Sequence, residues 1–178
     1  MNWMEGLHQD QRRYRFGSAL RSAGFTLAEQ VCIMALLGVL LAIAAPSWLT
    51  FFRYRQLVAA QERSAMAIRS VQHQASLSRT QQAIAFRQTS AGIEWSVYPA
   101  SGRPADWQSL SDGVAIDPNT TLERQGEFYR LRFNEDGHVV GLLGRLTLAI
   151  EGTSLRRCVW ASTLLGELRR ADGDRCTR

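Results

Sequence analysis

Apolar and polar positions follow three successive patterns along the chain. No residue between Gln30 and Phe52 is charged, and most residues of this stretch are apolar. At about 1.5 Å per residue, a helix of this length crosses a bilayer core of about 30 Å. Farther on, apolar residues recur at the three- and four-residue spacing of an amphipathic helix. These residues are Leu57, Val58, Ala65, Ile68, Val71 and Ala75. Together the two patterns predict one helix from about Phe25 to about Leu77.

The predicted helix contains a single proline. Pro46 is the only proline between Val39 and Ala91, and no glycine lies in that interval. A proline removes one backbone hydrogen bond and displaces the carbonyl four residues earlier. We therefore expect the helix to bend near Pro46.

The third pattern begins near Gln82, where apolar and polar residues start to alternate. Apolar and polar side chains alternate on both sides of Ala91-Gly92, over residues 84–97. They also alternate on both sides of Asp136-Gly137, over residues 128–140. Each pattern predicts a hairpin. The further strand candidates are residues 114–116, 146–150, 158–162 and 164–170, and the rest of 101–119 is predicted to be a surface loop. The fold class is therefore α+β, with a long N-terminal helix packed on an antiparallel sheet.

The charge is moderately basic and is carried by arginine alone. The net charge is +5, and all 21 basic side chains are arginines. Residues 25–178 carry 17 arginines against 14 acidic residues, which is too mild a balance to indicate nucleic-acid binding by itself. The first 24 residues are also basic, and basic segments flanking a span stay in the cytoplasm. Because Arg53, Arg55 and Arg63 follow the span, this rule favours a cytoplasmic leader only narrowly.

No motif in the chain indicates catalysis. The sequence has no Gly-x-Ser-x-Gly elbow, no phosphate-binding glycine loop and no paired-carboxylate motif. His73 and His138 have no Cys or His partner at metal-ligand spacing. We therefore expect no enzymatic activity, no cofactor and no bound metal.

The start of the apolar run carries a distinctive junction. It reads Arg21-Ser22-Ala23-Gly24-Phe25-Thr26-Leu27-Ala28-Glu29. A carboxylate at the edge of a membrane-length helix is costly, so Glu29 is expected to be functional. The polar segment also differs from a secretory signal peptide, which keeps its apolar region on the discarded side of the cut.

This junction, with the apolar run and Pro46, resembles the class III signal of type IV pilins and type II secretion pseudopilins. The resemblance implies cleavage after Gly24 and N-methylation of Phe25 by a prepilin peptidase at the cytoplasmic face. Cleavage would free a positive α-amine on Phe25, which the Glu29 carboxylate of a neighbouring subunit would neutralise in an assembled bundle. The domain boundaries that follow are a cleaved leader over 1–24, a transmembrane half-helix over 25–52 and a periplasmic α+β domain over 53–178.

The cysteines fit this division of the chain. Cys32 lies in the predicted span and is expected to be a buried small hydrophobe. Cys158 and Cys176 lie in the oxidising compartment under this topology, where a disulfide can persist. Either a bridge between them or two unpaired thiols is compatible with the sequence.

The remainder of the chain resembles the GspH/FimT branch of the same family. The similar segments are residues 62–68, the hairpin at 133–137, and residues 158–169. Some pilus members of that branch bind DNA through a terminal Gly-Arg-x-Arg, but here Glu167 replaces the first arginine. The candidate DNA contacts are Arg156, Arg157, Arg169 and Arg170, and the expected binding is weak and salt-sensitive.

The resemblance leads to a minor pseudopilin of a type II secretion system as the expected function. Its partners would be the prepilin peptidase, other pilins or pseudopilins through the N-terminal helix, and the inner membrane, which the chain would cross once. A minor pilin of a type IV pilus, with or without DNA uptake, is the alternative within the family. A single-span periplasmic sensor or enzyme domain is the alternative from another class.

Overall fold

The computed structural model describes residues 24–177, and the chain divides into two compact units, Met1–Ala42 and Ile43–Arg178. The predicted leader therefore lies outside the described residues except for Gly24. One helix, α1, covers Leu27–Ser78 and belongs to both units. Its bounds lie within two residues of the predicted ones, because the apolar run and the amphipathic pattern meet without a break.

In the described residues, the first unit contains the N-terminal part of α1 and the three residues before it. Thr26 caps the helix, since its Oγ1 accepts a hydrogen bond from the Glu29 backbone N–H at 3.2 Å. Every described side chain from 24 to 42 is exposed. The most apolar 18-residue stretch of the helix has a mean hydropathy of 2.3, and none of it is buried. By length and composition, α1 is suited to be a single-pass membrane anchor.

The second unit contains ten short strands in two antiparallel sheets. The first sheet has the order β3-β2-β1-β6-β5, with β7 also paired to β6, and the second has the order β10-β9-β8-β4. The strands are β1 Gln82–Gln88, β2 Gly92–Pro99, β3 Gln108–Asp112, β4 Ala115–Ile116, β5 Glu123–Gln125, β6 Phe128–Phe133, β7 Val139–Val140, β8 Arg145–Ala149, β9 Arg156–Ala161 and β10 Leu168–Asp172. A short 3-10 helix, η1, follows at Gly173–Cys176.

Both sheets contribute to one hydrophobic core with α1. From the helix the core takes Leu57, Ile68 and Val71, and from β1 it takes Ile84 and Phe86, all at most 2% exposed. The two-residue period of β1 explains why Ile84 and Phe86 share a face. The remaining strands add Leu131, Phe133, Leu146, Leu148 and Val159. The α+β prediction, a long N-terminal helix packed on antiparallel sheet, is confirmed.

Several details of the strand prediction need correction. Both predicted hairpins are present, as β1–β2 and β6–β7. However, β3 lies within the segment expected to be a loop, and β5 was not predicted. Each has few apolar residues and lies at an edge of the first sheet, where only one neighbouring strand is paired. An edge strand tolerates polar side chains, so its alternation is weak.

The end of the chain is fastened to the second sheet by a disulfide. Cys158 of β9 and Cys176 of η1 are bonded, with their Cα atoms 5.6 Å apart. Both sulfurs are fully buried beside Ala171 and Trp160. The polar segment between β10 and Cys176 is thus held by a covalent link rather than by burial of its own side chains.

Removing this link should lower the stability of the second unit. We expect the double variant Cys158→Ser, Cys176→Ser to lose about 3 kcal/mol of unfolding free energy, as the chain-entropy model gives for a loop of this size. Urea unfolding of the full chain in detergent, followed by tryptophan fluorescence, measures the difference. Cys32, which was expected to be buried, is exposed and unbonded in the structure. Cys32→Ser is therefore the control and should leave the midpoint unchanged. A double variant with the wild-type midpoint would contradict the expectation.

Candidate assembly sites: the helix N-terminus and the arginine-rich strands

Gly24 and Phe25 lie just before α1 and are exposed, with no regular secondary structure. Among the residues that the structure describes, a Cβ built on Gly24 would meet no atom within 4 Å, and the Phe25 side chain is 69% exposed. The peptide bond between them is therefore accessible to another protein.

Glu29 lies in the first turn of the helix that Thr26 caps. A carboxylate is favoured there because the helix dipole places partial positive charge at its N-terminus. Thr26-x-x-Glu29 also matches the capping-box pattern, a local signal in the sequence that marks the start of the helix. Within the described residues, Glu29 has no ion-pair partner, so its carboxylate is open to a group on another chain.

Pro46 lies inside α1, in its N-terminal half. The bend expected there stays a prediction. Two residues farther on, an aromatic cluster begins that the hydropathy pattern does not distinguish from the rest of the apolar run. The Trp48 and Phe52 rings are 5.4 Å apart, and the Arg55 guanidinium lies 5.8 Å from the Phe51 ring. Exposed aromatic rings followed by arginines are typical of the boundary between bilayer core and water.

Two glutamines fasten α1 to the sheets. Gln61 Nε2 donates to the carbonyls of Cys158 at 2.8 Å and Ala171 at 2.9 Å. Gln72 Nε2 donates to the carbonyls of Gly137 and Leu165, each at 3.0 Å. Eleven residues are about three helical turns, so both amides project from one face of α1. The sequence pattern hides this role, because a glutamine on an apolar face looks like an interruption of it.

The arginine-rich strands do not present their four candidate arginines together. Antiparallel register pairs Asp172 with Arg157 and Val159 with Arg170, which places Arg157 and Arg170 on the face toward α1. Arg157 donates from Nη1 to Gln61 Oε1 at 2.8 Å, and Arg170 forms an ion pair with Glu62. Arg156 and Arg169 alternate to the other face.

Each of these four arginines also has a carboxylate partner. Arg156 Nε lies 2.8 Å from Asp117, Arg157 Nη2 lies 3.9 Å from Asp172, and Arg169 Nε lies 3.8 Å from Glu167. Glu167 thus lies beside Arg169. A phosphate approaching these strands would compete with carboxylates already in place, so the geometry does not favour a DNA-binding function.

Asp117 is the most buried of these carboxylates, with its side chain only 5% exposed. Burial by itself raises the pKa of Asp117, but hydrogen bonds from the Asn119 backbone N–H, the Arg156 guanidinium and the Asn119 side chain lower it below the ordinary value of 3.8. Asp117 therefore holds β9 to the loop after β4.

The lowered pKa predicts a pH-dependent contribution to stability. Because the folded-state pKa lies below the unfolded value, the contribution is present above about pH 4 and is lost as the pH falls through the folded pKa. We expect Asp117→Asn to cost about 2 kcal/mol at pH 7, less than the roughly 3–5 kcal/mol for breaking a fully buried pair, since Arg156 is partly exposed. The difference between wild type and variant should shrink when urea unfolding is repeated near pH 3. A difference that stays constant across this range would refute the assignment.

Similar solved structures are two crystal forms of the type IV minor pilin FimU of Pseudomonas aeruginosa strain PAO1. One is 19% identical, with 68% of this chain and 92% of that chain covered at a TM-score of 0.45. The other is also 19% identical, with 64% and 90% covered at a TM-score of 0.43. No protein-family model matches the chain, and no curated protein sequence is significantly similar to it.

Proposed function

We propose that this chain is a minor pilin-like subunit, assembled through its N-terminal helix into the pseudopilus of a type II secretion system. The observation that carries the proposal is the junction at Gly24-Phe25, followed at Glu29 by a carboxylate in the first turn of an uncovered apolar helix. An uncovered apolar helix of this length needs lipid or other helices around it. The α+β unit that follows would be the periplasmic head.

Each residue at the junction has its own role in the proposed function. Gly24 leaves the backbone open to a peptidase, because no described residue lies where a side chain would project. Cleavage there makes Phe25 the new N-terminus, one residue before the capping Thr26. The positive amine of one subunit and the Glu29 carboxylate of the next would then form an ion pair inside the apolar bundle. Such a pair stabilises only the axial register in which both charges meet.

Processing at Gly24 tests the proposal. Intact-mass analysis and N-terminal sequencing of the membrane-extracted chain should show a first residue of Phe25, carrying one methyl group. Gly24→Val should abolish cleavage, because the added side chain blocks the close backbone approach that a hydrogen allows. Gly38→Val is the matched control, since a Cβ at Gly38 also meets nothing within 4 Å yet lies inside the span.

The proposal would be wrong if the mature chain began at Met1 or after Ala45. Either result would favour a single-span anchored domain or an ordinary secretory cut instead. Deleting the prepilin peptidase of the host should likewise leave the leader attached in wild type. A second deletion distinguishes secretion from a pilus. The gene for this chain is deleted in a host whose prepilin peptidase is intact, and export of a secreted protein and the number of surface pili are both measured. Loss of export with normal pili would favour the secretion system.

A further inference from the structure

Arginines follow the predicted span on the side that the proposed function places in the periplasm. Positive residues are normally enriched on the cytoplasmic side, so Arg53 and Arg55 need a local reason to be there. The Arg55 guanidinium lies over the Phe51 ring. Arg53 has neither an ion pair nor a hydrogen bond within the described part of the chain. Its guanidinium is therefore open to a group outside the protein.

Arg53 lines a groove between α1 and the sheets. The groove has a volume of about 440 Å³ and is open to solvent. Its other walls come from Gln56 and from residues 88–92, 113–115 and 150–151. Gln56 Oε1 lies 4.0 Å from where a Cβ would stand on Gly113, so the loop after β3 reaches the first helical turn beyond Phe52. We call this site the Arg53 groove.

The depth of the Arg53 groove follows from its position on the helix, and all of its residues belong to the second unit. The exposed rings of Trp48, Phe51 and Phe52 mark the boundary of the bilayer core. The headgroup layer is about 5–7 Å thick, which a helix crosses in about four residues at about 1.5 Å each. Residues 53–56 therefore lie in that layer. Continuity with the anchor thus brings lipid headgroups to the groove, independently of its charge.

The charges of the Arg53 groove have opposite signs. Of the described residues that line it, two are charged, Arg53 and Glu151. Both are exposed, and neither forms an ion pair with the other or with a third described residue. The Ser90 hydroxyl, in the turn between β1 and β2, also makes no hydrogen bond to a described residue. Two opposite charges that share a groove without meeting leave space for a ligand that carries both.

We propose that the Arg53 groove binds the headgroup of a zwitterionic phospholipid with a primary ammonium, a phosphoethanolamine. The Arg53 guanidinium and the Ser90 hydroxyl donate hydrogen bonds to phosphate oxygens, and the Glu151 carboxylate accepts hydrogen bonds from the ammonium. The inference rests on the proposed function, which places this end of the second unit against the outer leaflet of the inner membrane. It adds a lipid that the groove selects.

Two other headgroups fit less well. An anionic phosphoglycerol satisfies Arg53 but brings a net negative charge to Glu151, where like charges repel. A phosphocholine has the same two charges as a phosphoethanolamine. However, its ammonium carries no hydrogen, so Glu151 loses the charge-assisted hydrogen bonds.

Native mass spectrometry of the full chain in detergent tests the inference. Phosphatidylethanolamine, phosphatidylcholine and phosphatidylglycerol are added in equal amounts, and the lipid retained on the chain is counted. We expect phosphatidylethanolamine to be retained most. Water-soluble phosphoethanolamine, added alone, should not be retained, because it lacks the acyl chains that lie against the anchor. Its retention would identify a site for a free phosphate ester and would contradict the lipid assignment.

Charge-removing variants of the groove provide a second readout. Arg53→Gln and Glu151→Gln should each lower retention of phosphatidylethanolamine about tenfold, since each removes charge-assisted hydrogen bonds. Glu151→Gln should also raise retention of phosphatidylglycerol, because the repulsion is gone. Both side chains are exposed, so the urea midpoint should not change. Arg69→Gln and Glu127→Gln, at exposed positions outside the groove, are the matched controls and should retain lipid as wild type does.

Equal retention of the three lipids, a preference of wild type for phosphatidylglycerol, or insensitivity to Arg53→Gln would overturn the inference. The processing experiment keeps it separate from the proposed function. A chain that begins at Phe25 but shows no lipid preference contradicts the Arg53 groove alone. An unprocessed chain that retains phosphatidylethanolamine contradicts the pilin-like function alone.

Discussion

Replacing Glu29 by valine should remove this chain from complexes with other pilin-like subunits while leaving its insertion and cleavage unchanged. Valine suits lipid better than glutamate, so the anchor itself gains nothing from the carboxylate. In the proposed assembly, the loss falls on the pair between Glu29 and the Phe25 amine of a neighbour. An amine left uncompensated within an apolar bundle costs several kcal/mol, and co-purification should therefore fall by at least about a hundredfold.

Two further variants separate this pairing from helix capping. Glu29→Gln keeps a side chain that can complete the capping box but carries no charge, so it should fail as valine does. Thr26→Val removes the oxygen that caps the Glu29 N–H, yet it keeps the carboxylate, so it should remain in the complexes. Quantitative mass spectrometry of material co-purified with partner subunits measures all three. Equal recovery of wild type and Glu29→Val would exclude an assembly role for this residue.

The long helix is the element that the sequence predicts best. Its apolar half is defined by the absence of charge, and its amphipathic half places Leu57, Ile68 and Val71 at helical spacing. Both signals are local, so they predict the helix without any information about the sheet. The two main hairpins are equally local, because Ala91-Gly92 and Asp136-Gly137 identify their turns.

What the sequence could not predict depends on contacts between distant residues. The division of the strands into two sheets follows from pairings such as β4 with β8, which no local pattern specifies. The candidate arginines show the same limit. Strand alternation divides them between two faces, but only the register shows that Arg170 reaches Glu62 and Arg156 reaches Asp117. Long-range ion pairs of this kind leave no periodic signal.

Gln61 should be the most costly polar residue to replace in the second unit. It is 1% exposed, and its amide donates to two carbonyls while its oxygen accepts from Arg157. Gln61→Met preserves the shape and apolar stem but leaves the Cys158 and Ala171 carbonyls without this donor. Each unsatisfied buried group costs about 1–3 kcal/mol, so we expect a loss of about 4 kcal/mol in unfolding free energy. Urea unfolding of the full chain in detergent, followed by tryptophan fluorescence, measures it.

Gln72→Met is the matched control, because Gln72 makes the same double donation from the same face of α1. Its bond to Leu165 lies at the surface, where water can replace the lost donor, so the cost should be about 1 kcal/mol. The contrast tests burial rather than the number of hydrogen bonds. Equal losses of unfolding free energy from the two variants would show that the buried hydrogen bonds of Gln61 contribute no more than the more exposed ones of Gln72. A loss confined to Gln61 would identify the amide between β9 and β10 as the principal polar link between the helix and the second sheet.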